Sequence, residues 1–150
     1  FSLALFSVAL LSLELSFTKF FSVVMWYHFG FLIISTAMLG FSVAGVFLTF
    51  KKQLIEKCSV FTLINLTVVA TSLSYLLLAL FSLAKFEQAS VIERVFELSI
   101  MIILLSIPFF FTGLTISWIL TKNKENISTF YGSNLLGSAI GAPLFIYIFN

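Results

Sequence analysis

Charge is what this sequence has least of. Only 9% of its 150 residues are charged, against 61% hydrophobic, and mean hydropathy is +1.17. An average soluble domain carries about 25% charged residues. Too little charge is present to cover a water-facing surface. A membrane protein is the class that fits, because lipid solvates apolar side chains that water does not. Histidine and cysteine are nearly missing as well: His28 and Cys58 are the only ones. A single cysteine excludes an intrachain disulfide. One His and one Cys, a whole apolar run apart, argue against a structural metal site, which needs several ligands. A bis-histidine haem site lacks its second histidine. The net charge of +2 is too small to point to nucleic acid. No basic stretch precedes the first apolar run and no A-x-A-like site follows it, so a signal peptide is not indicated. The chain opens at Phe1 and closes at Asn150, each inside an apolar run. The expectation is a piece of a longer polytopic protein, truncated at both ends.

What is present is a series of long apolar runs. The expected fold class is all-α: a polytopic transmembrane helical bundle of about five spans within one domain, residues 1–150. The spans are expected at about 1–17, 23–50, 58–84, 95–120 and 131–150. About 20 residues cross the hydrocarbon core as a helix. The middle three runs exceed that, so tilt or interfacial ends are expected. The runs lack the alternation of a lipid-facing barrel strand. Basic residues in short loops set orientation. Lys51, Lys52, Lys57, Lys122 and Lys124 lie on one side, and Lys19, Lys85 and Arg94 on the other. The 51–57 and 121–130 loops are therefore expected to be cytoplasmic. The "NIS" sequon at 126–128 then falls on the cytoplasmic side, close to a span, and is a chance match.

Helices in lipid associate where small residues let backbones approach. The second run offers Gly30, Ala37 and Ala44 with Gly40 between the last two. The third offers Cys58, Asn65 and Ser72. The fourth offers Ser99, Ser106, Gly113 and Ser117. The fifth offers Ser133, Gly137 and Gly141. The plain reading is bundle packing; the sharper one is that a face lines a cavity. Pro108 lacks an amide donor and clashes with the carbonyl four residues earlier, so a kink is expected near Leu104–Pro108, and a similar effect of Pro143 near Ala139.

Glu14, Lys19 and His28 are candidates for a polar cluster. An ionisable group within a membrane points to function by default, whereas a carboxylate at a helix end reaching Lys19 or water costs little. The expectation is that the first helix ends shortly after Glu14 and turns around Lys19. Trp26 and Tyr27 mark a membrane boundary beside His28. His28 is then either a contact of Glu14 or a headgroup-level anchor.

Two stretches carry a resemblance. "LELSFTKFFSVVMWYHFGFLIISTAMLGFSVAGVF" covers 13–47, and "IPFFFTGLTISWILTKNKENISTFYGSNLLGSAIGAPL" covers 107–144. Together they resemble the amino-terminal transmembrane region of bacterial membrane-bound spermidine-synthase-like proteins. The matching features, in order, are Glu14, Thr18-Lys19, Tyr27-His28, the Leu39-Gly40 segment, Pro108–Gly113, and the fifth-helix motif of Tyr131, Asn134, Leu135, Gly137 and Gly141. Lys19 stands where that family usually has Arg, which loses the planar fork. Asn134 stands where it often has Asp, which loses the charge. The resemblance implies a bacterial inner-membrane domain that anchors a downstream soluble Rossmann-like domain, which would use decarboxylated S-adenosylmethionine as aminopropyl donor. None of that soluble domain lies within these residues. No catalytic, cofactor-binding or metal-binding residue is assigned here, and no cofactor. "GSNLLGSAIG" opens an apolar helix with no preceding strand, so it is not a nucleotide loop. The expected partners are the lipid bilayer, other transmembrane helices of the same chain and the soluble domain, with no nucleic acid. The alternative is a piece of a secondary transporter, whose binding site would lie near the midplane.

Overall fold

The computed structural model describes residues 2–25, 29–51, 58–83 and 91–149. Among them are five α-helices and no strand. They are α1 (Ser2–Met25), α2 (Phe29–Phe50), α3 (Val60–Leu83), α4 (Val91–Lys122) and α5 (Ile127–Phe149), with a 3₁₀ turn at Lys124–Asn126. Among the described residues, four helices are long and apolar enough to cross a membrane, through Leu3–Phe20, Phe31–Phe50, Val60–Leu80 and Val95–Lys122. The chain is a helical membrane protein. The fifth expected span, α5, is not among those four. Its first half, "ISTFYGSNLLGSAIG", spends its positions on Gly and Ser rather than on large apolar side chains.

The first helix departs from expectation. It runs to Met25 instead of ending near Phe17. Nothing in "FTKFFSVVM" stops a helix: there is no Gly, no Pro, and the aromatic and β-branched residues are tolerated inside one. Val91 likewise opens α4 ahead of the expected start at 95, with Glu93 in its first turn, where a carboxylate suits the helix dipole.

The chain forms two compact units. One comprises Phe1–Ile34 with Ile116–Asn150, the other Ser35–Thr115. In the second unit α4 is the central helix. On one side, a Cβ placed on Gly40 would meet Phe109 Cβ at 2.7 Å and the Ser106 carbonyl oxygen at 2.9 Å, and one placed on Gly113 would meet Phe41 and Ala44. Residue numbers rise together along this contact, so α2 and α4 are parallel. Phe41 and Phe109 add an edge-on ring contact with centroids 6.1 Å apart. On the other side, Thr67 Oγ1 lies 3.1 Å from Thr115 Oγ1, and Ser74 Oγ donates to the Leu104 carbonyl at 2.6 Å. Here the numbers run oppositely, so α3 and α4 are antiparallel. This is the alternation that consecutive membrane crossings require.

The buried line of α3 is Leu63, Thr67, Ala70, Ser74 and Leu78. The expected face of Cys58, Asn65 and Ser72 is not the packed one; Asn65 and Ser72 are exposed. Ser74 packs because it places a small hydroxyl where α4 offers an acceptor, and Thr67, whose hydroxyl lies 2.8 Å from the Leu63 carbonyl of its own helix, meets the Thr115 hydroxyl of α4. Ser74 meets a specific need. Pro108 has no amide hydrogen, so the Leu104 carbonyl lacks its intrahelical donor. The Ser74 hydroxyl supplies one from the neighbouring helix, and α4 continues as a helix through Pro108. In lipid such a carbonyl has no water to turn to.

Ser74→Ala is therefore expected to destabilise the chain by about 1–2 kcal/mol, the cost of orphaning a buried acceptor. In a Pro108→Ala background, where residue 108 regains its amide hydrogen, the same change should cost less. Unfolding in detergent by graded SDS measures both. Coupling above the scatter of about 0.5 kcal/mol is expected for the pair, and strict additivity would remove the assignment.

Candidate functional site

The seam between α1 and α5 gathers most of the candidate residues that are described. A Cβ on Gly137 would collide with the Ala4 carbonyl oxygen and lie 2.9 Å from Ser7 Cβ. A Cβ on Gly141 would meet the Val8 carbonyl oxygen at 3.1 Å and Leu11 Cβ at 3.4 Å. Contacts advance together along both helices, so α1 and α5 are parallel. Glycine is required at Gly137, where the backbone of α5 rests directly on that of α1, whereas a Cβ at Gly141 needs its neighbours to give by only a few tenths of an ångström. Gly132 has nothing within 4 Å of the corresponding position.

Asn134 adds the polar element. Ser7, wholly buried, lies with Oγ 2.6 Å from Asn134 Oδ1 and 2.8 Å from the Leu3 carbonyl oxygen. One hydroxyl proton serves one acceptor at a time. Turning the Asn134 amide lets Nδ2 donate to the Ser7 oxygen while Ser7 donates to Leu3. An ionised aspartate could not donate in this way. Ser133, expected on the packed line, instead returns its hydroxyl to the Thr129 carbonyl, and Asn134 occupies the seam. Tyr131 is exposed and takes no part in it.

Glu14 is half-buried and lies seven residues after Ser7, on nearly the same line of α1. Because α1 runs on to Met25, Glu14 is a mid-helix carboxyl and not a helix-end one. Eleven further residues add about 16 Å of helix beyond it. Lys19, five residues later on the unbroken helix, is turned about 140° away and is exposed. The structure does not bring these two together, and the expected turn around Lys19 is absent. His28, with Trp26 and Tyr27, lies outside the described residues, as do Lys52 and Lys57 of the 51–57 loop. At the other basic loop, Lys122 Nζ sits 4.6 Å from the centre of the buried Trp118 ring.

Beside Pro108 there is a groove of about 150 Å³, lined by Leu39, Gly40, Val43, Ser106, Ile107, Phe110 and Phe111. Small-molecule pockets occupy about 300–1,000 Å³, so this groove is too small to be the principal site. Among the described residues no three of His, Cys, Asp and Glu come together as metal ligands.

The partners Ser7, Thr67, Ser74 and Thr115 were not singled out by sequence reasoning. Thr67 and Ser74 are seven residues apart on the α3 line, which is a visible signal. The need for a donor to the Leu104 carbonyl follows from Pro108 alone. Which hydroxyl meets it does not.

Comparison with protein-family models, characterised proteins and solved structures gave no match.

Proposed function

We propose that this chain is the helical membrane domain of a spermidine-synthase-like protein, holding a soluble aminopropyl-transferring domain of the same polypeptide at a bacterial inner membrane and handling its substrate or product. The observation that supports this reading is the placement of the fifth-helix motif. Asn134, Gly137 and Gly141 lie on one face of α5, seated on α1. Three of the five motif residues share this packing task while Tyr131 and Leu135 are exposed, and a shared task is better explained by a common helical core than by chance order along the chain.

The test uses the natural full-length protein in liposomes, supplied with decarboxylated S-adenosylmethionine and a diamine. Transfer moves the aminopropyl carbon from the sulfonium sulfur to the amine nitrogen, releasing a neutral thioether nucleoside and a proton. The expected result is equimolar thioether and aminopropylated diamine. No transfer, with the protein folded and membrane-inserted, contradicts the proposal.

A second reading, as part of a secondary transporter, is favoured by one feature: Glu14 sits at the middle of an apolar helix, where an ionisable group by default marks a pathway or binding site. Accumulation of labelled diamine inside the same liposomes without aminopropylated product, lost in Glu14→Gln, would favour it.

A further inference from the structure

Thr67 and Thr71 of α3 return their hydroxyls to the carbonyls four residues back, those of Leu63 and Thr67. On α4, Thr112 and Thr115 do the same, to Pro108 and Phe111. Ser74 instead crosses to the Leu104 carbonyl of α4 at 2.6 Å. The Ala70 carbonyl, four residues back on its own helix, comes within reach of the same hydroxyl after a rotation about the Cα–Cβ bond. One proton therefore has two acceptors, one on each helix.

Pro108 decides what the crossing bond holds. Its ring presses on the Leu104 carbonyl, and that carbonyl faces α3. Relief of the pressure tips the arm of α4 before the proline, residues 91–104, away from α3. Sharp kinks at proline exceed about 20°. Phe96 lies eight residues before Leu104, about 12 Å along the helix. A bend of that size carries it about 4 Å.

The groove beside Pro108 gives such a movement a consequence. Its wall on α4 is Ser106 and Ile107 before the proline, and Phe110 and Phe111 after it. Gly40 of α2 faces both halves: a Cβ there would lie 2.9 Å from the Ser106 carbonyl oxygen and 3.0 Å from the Phe110 amide nitrogen. The hinge thus divides one wall of the groove, and a change of angle at Pro108 reshapes it.

We propose that Ser74 is a latch on a hinge at Pro108. With its hydroxyl on the Leu104 carbonyl, the arm before the proline is held against α3. With its hydroxyl turned to the Ala70 carbonyl, the arm swings out and the groove changes shape. The two states lie close in energy because the hydroxyl is satisfied in both and only the Leu104 carbonyl loses a partner. A released state of up to about one molecule in ten is the scale of such a minor conformer.

The distance between α3 and the arm reads the latch. Nitroxides are placed only at Leu80→Cys and Phe96→Cys, both exposed positions, in the full-length protein carrying Cys58→Ser. Pulsed electron paramagnetic resonance is recorded in liposomes. With Ser74 and Pro108 intact, a main distance is expected with a minor component about 4 Å longer. Ser74→Ala should make the longer distance the main one. Ser74→Ala with Pro108→Ala should return the shorter distance alone, because residue 108 then supplies the amide hydrogen that Leu104 lacks. Ser74→Thr, which keeps the hydroxyl, should keep the main distance short. Pro108→Ala alone should remove the minor component, which reads the hinge in a chain that keeps its serine. A single distance with Ser74 and Pro108 intact, or one that Ser74→Ala leaves unchanged, overturns the proposal. So does a lengthening that persists when Pro108→Ala is added, since it would come from lost packing and not from the hinge.

Discussion

Gly137→Leu is expected to separate α5 from α1 and to lower the chain's stability by about 3 kcal/mol or more, at or above the top of the usual range for overpacking. The obstacle at this position is backbone. A single Cβ on Gly137 already collides with the Ala4 carbonyl oxygen. A carbonyl within a helix cannot rotate aside as a side chain can, so the helices must part. Parting them also removes the hydrogen bond between Ser7 and Asn134 one turn away. Both effects fall on the same variant. Gly132→Leu has nothing within 4 Å to strike and should change stability by no more than about 0.5 kcal/mol, as surface changes usually do. Thermal unfolding in detergent reads both. Equal losses would remove the case for a glycine-lined seam.

The second large effect is expected at Gly40. A Cβ there would stand 2.7 Å from Phe109 Cβ, 2.9 Å from the Ser106 carbonyl oxygen and 3.0 Å from the Phe110 amide nitrogen. Two of the three obstacles are again backbone, and the third is fixed to it. Gly40→Leu should cost about 2–3 kcal/mol. Gly45, five residues on, has open space around it, and Gly45→Leu should be nearly neutral. Gly113→Ala should fall between, because its nearest obstacle is the ring of Phe41, which can turn. The order Gly40, Gly113, Gly45 distinguishes helix contact from a general loss of glycine flexibility, which would affect all three alike.

The helices were legible in the sequence because hydropathy alone sets their number and approximate place. The second, third and fourth runs needed only small changes of boundary. The small residues that pack were legible where backbone contact demands glycine, as at Gly40 and Gly137. They were not legible where a larger side chain can pack equally well. On α3 the sequence offered Cys58, Asn65 and Ser72 as a line, and the structure packs the opposite side. Ser74 and Thr67 win because α4 presents the Leu104 carbonyl to the first and the Thr115 hydroxyl to the second, and a partner's polar groups leave no trace in α3's own sequence. The end of α1 was misplaced for a different reason. Lys19 suggested a turn, but a lone lysine does not break a helix, and "FTKFFSVVM" contains nothing that does. The unbroken helix also places Glu14 and Lys19 about 140° apart around α1.

The central claim is that α1 and α5 lie parallel and in direct contact. Disulfide formation between paired cysteines tests it most directly. Two double variants are made in a Cys58→Ser background, one joining positions 7 and 134, the other joining 11 and 141. A Cβ on Gly141 lies 3.4 Å from Leu11 Cβ, close to the roughly 3.5–4.5 Å a disulfide spans, and Ser7 and Asn134 are already in hydrogen-bond contact. Parallel helices predict that both Ser7→Cys with Asn134→Cys and Leu11→Cys with Gly141→Cys link within one chain. Antiparallel or separated helices would allow at most one of the two, and that result would contradict the account.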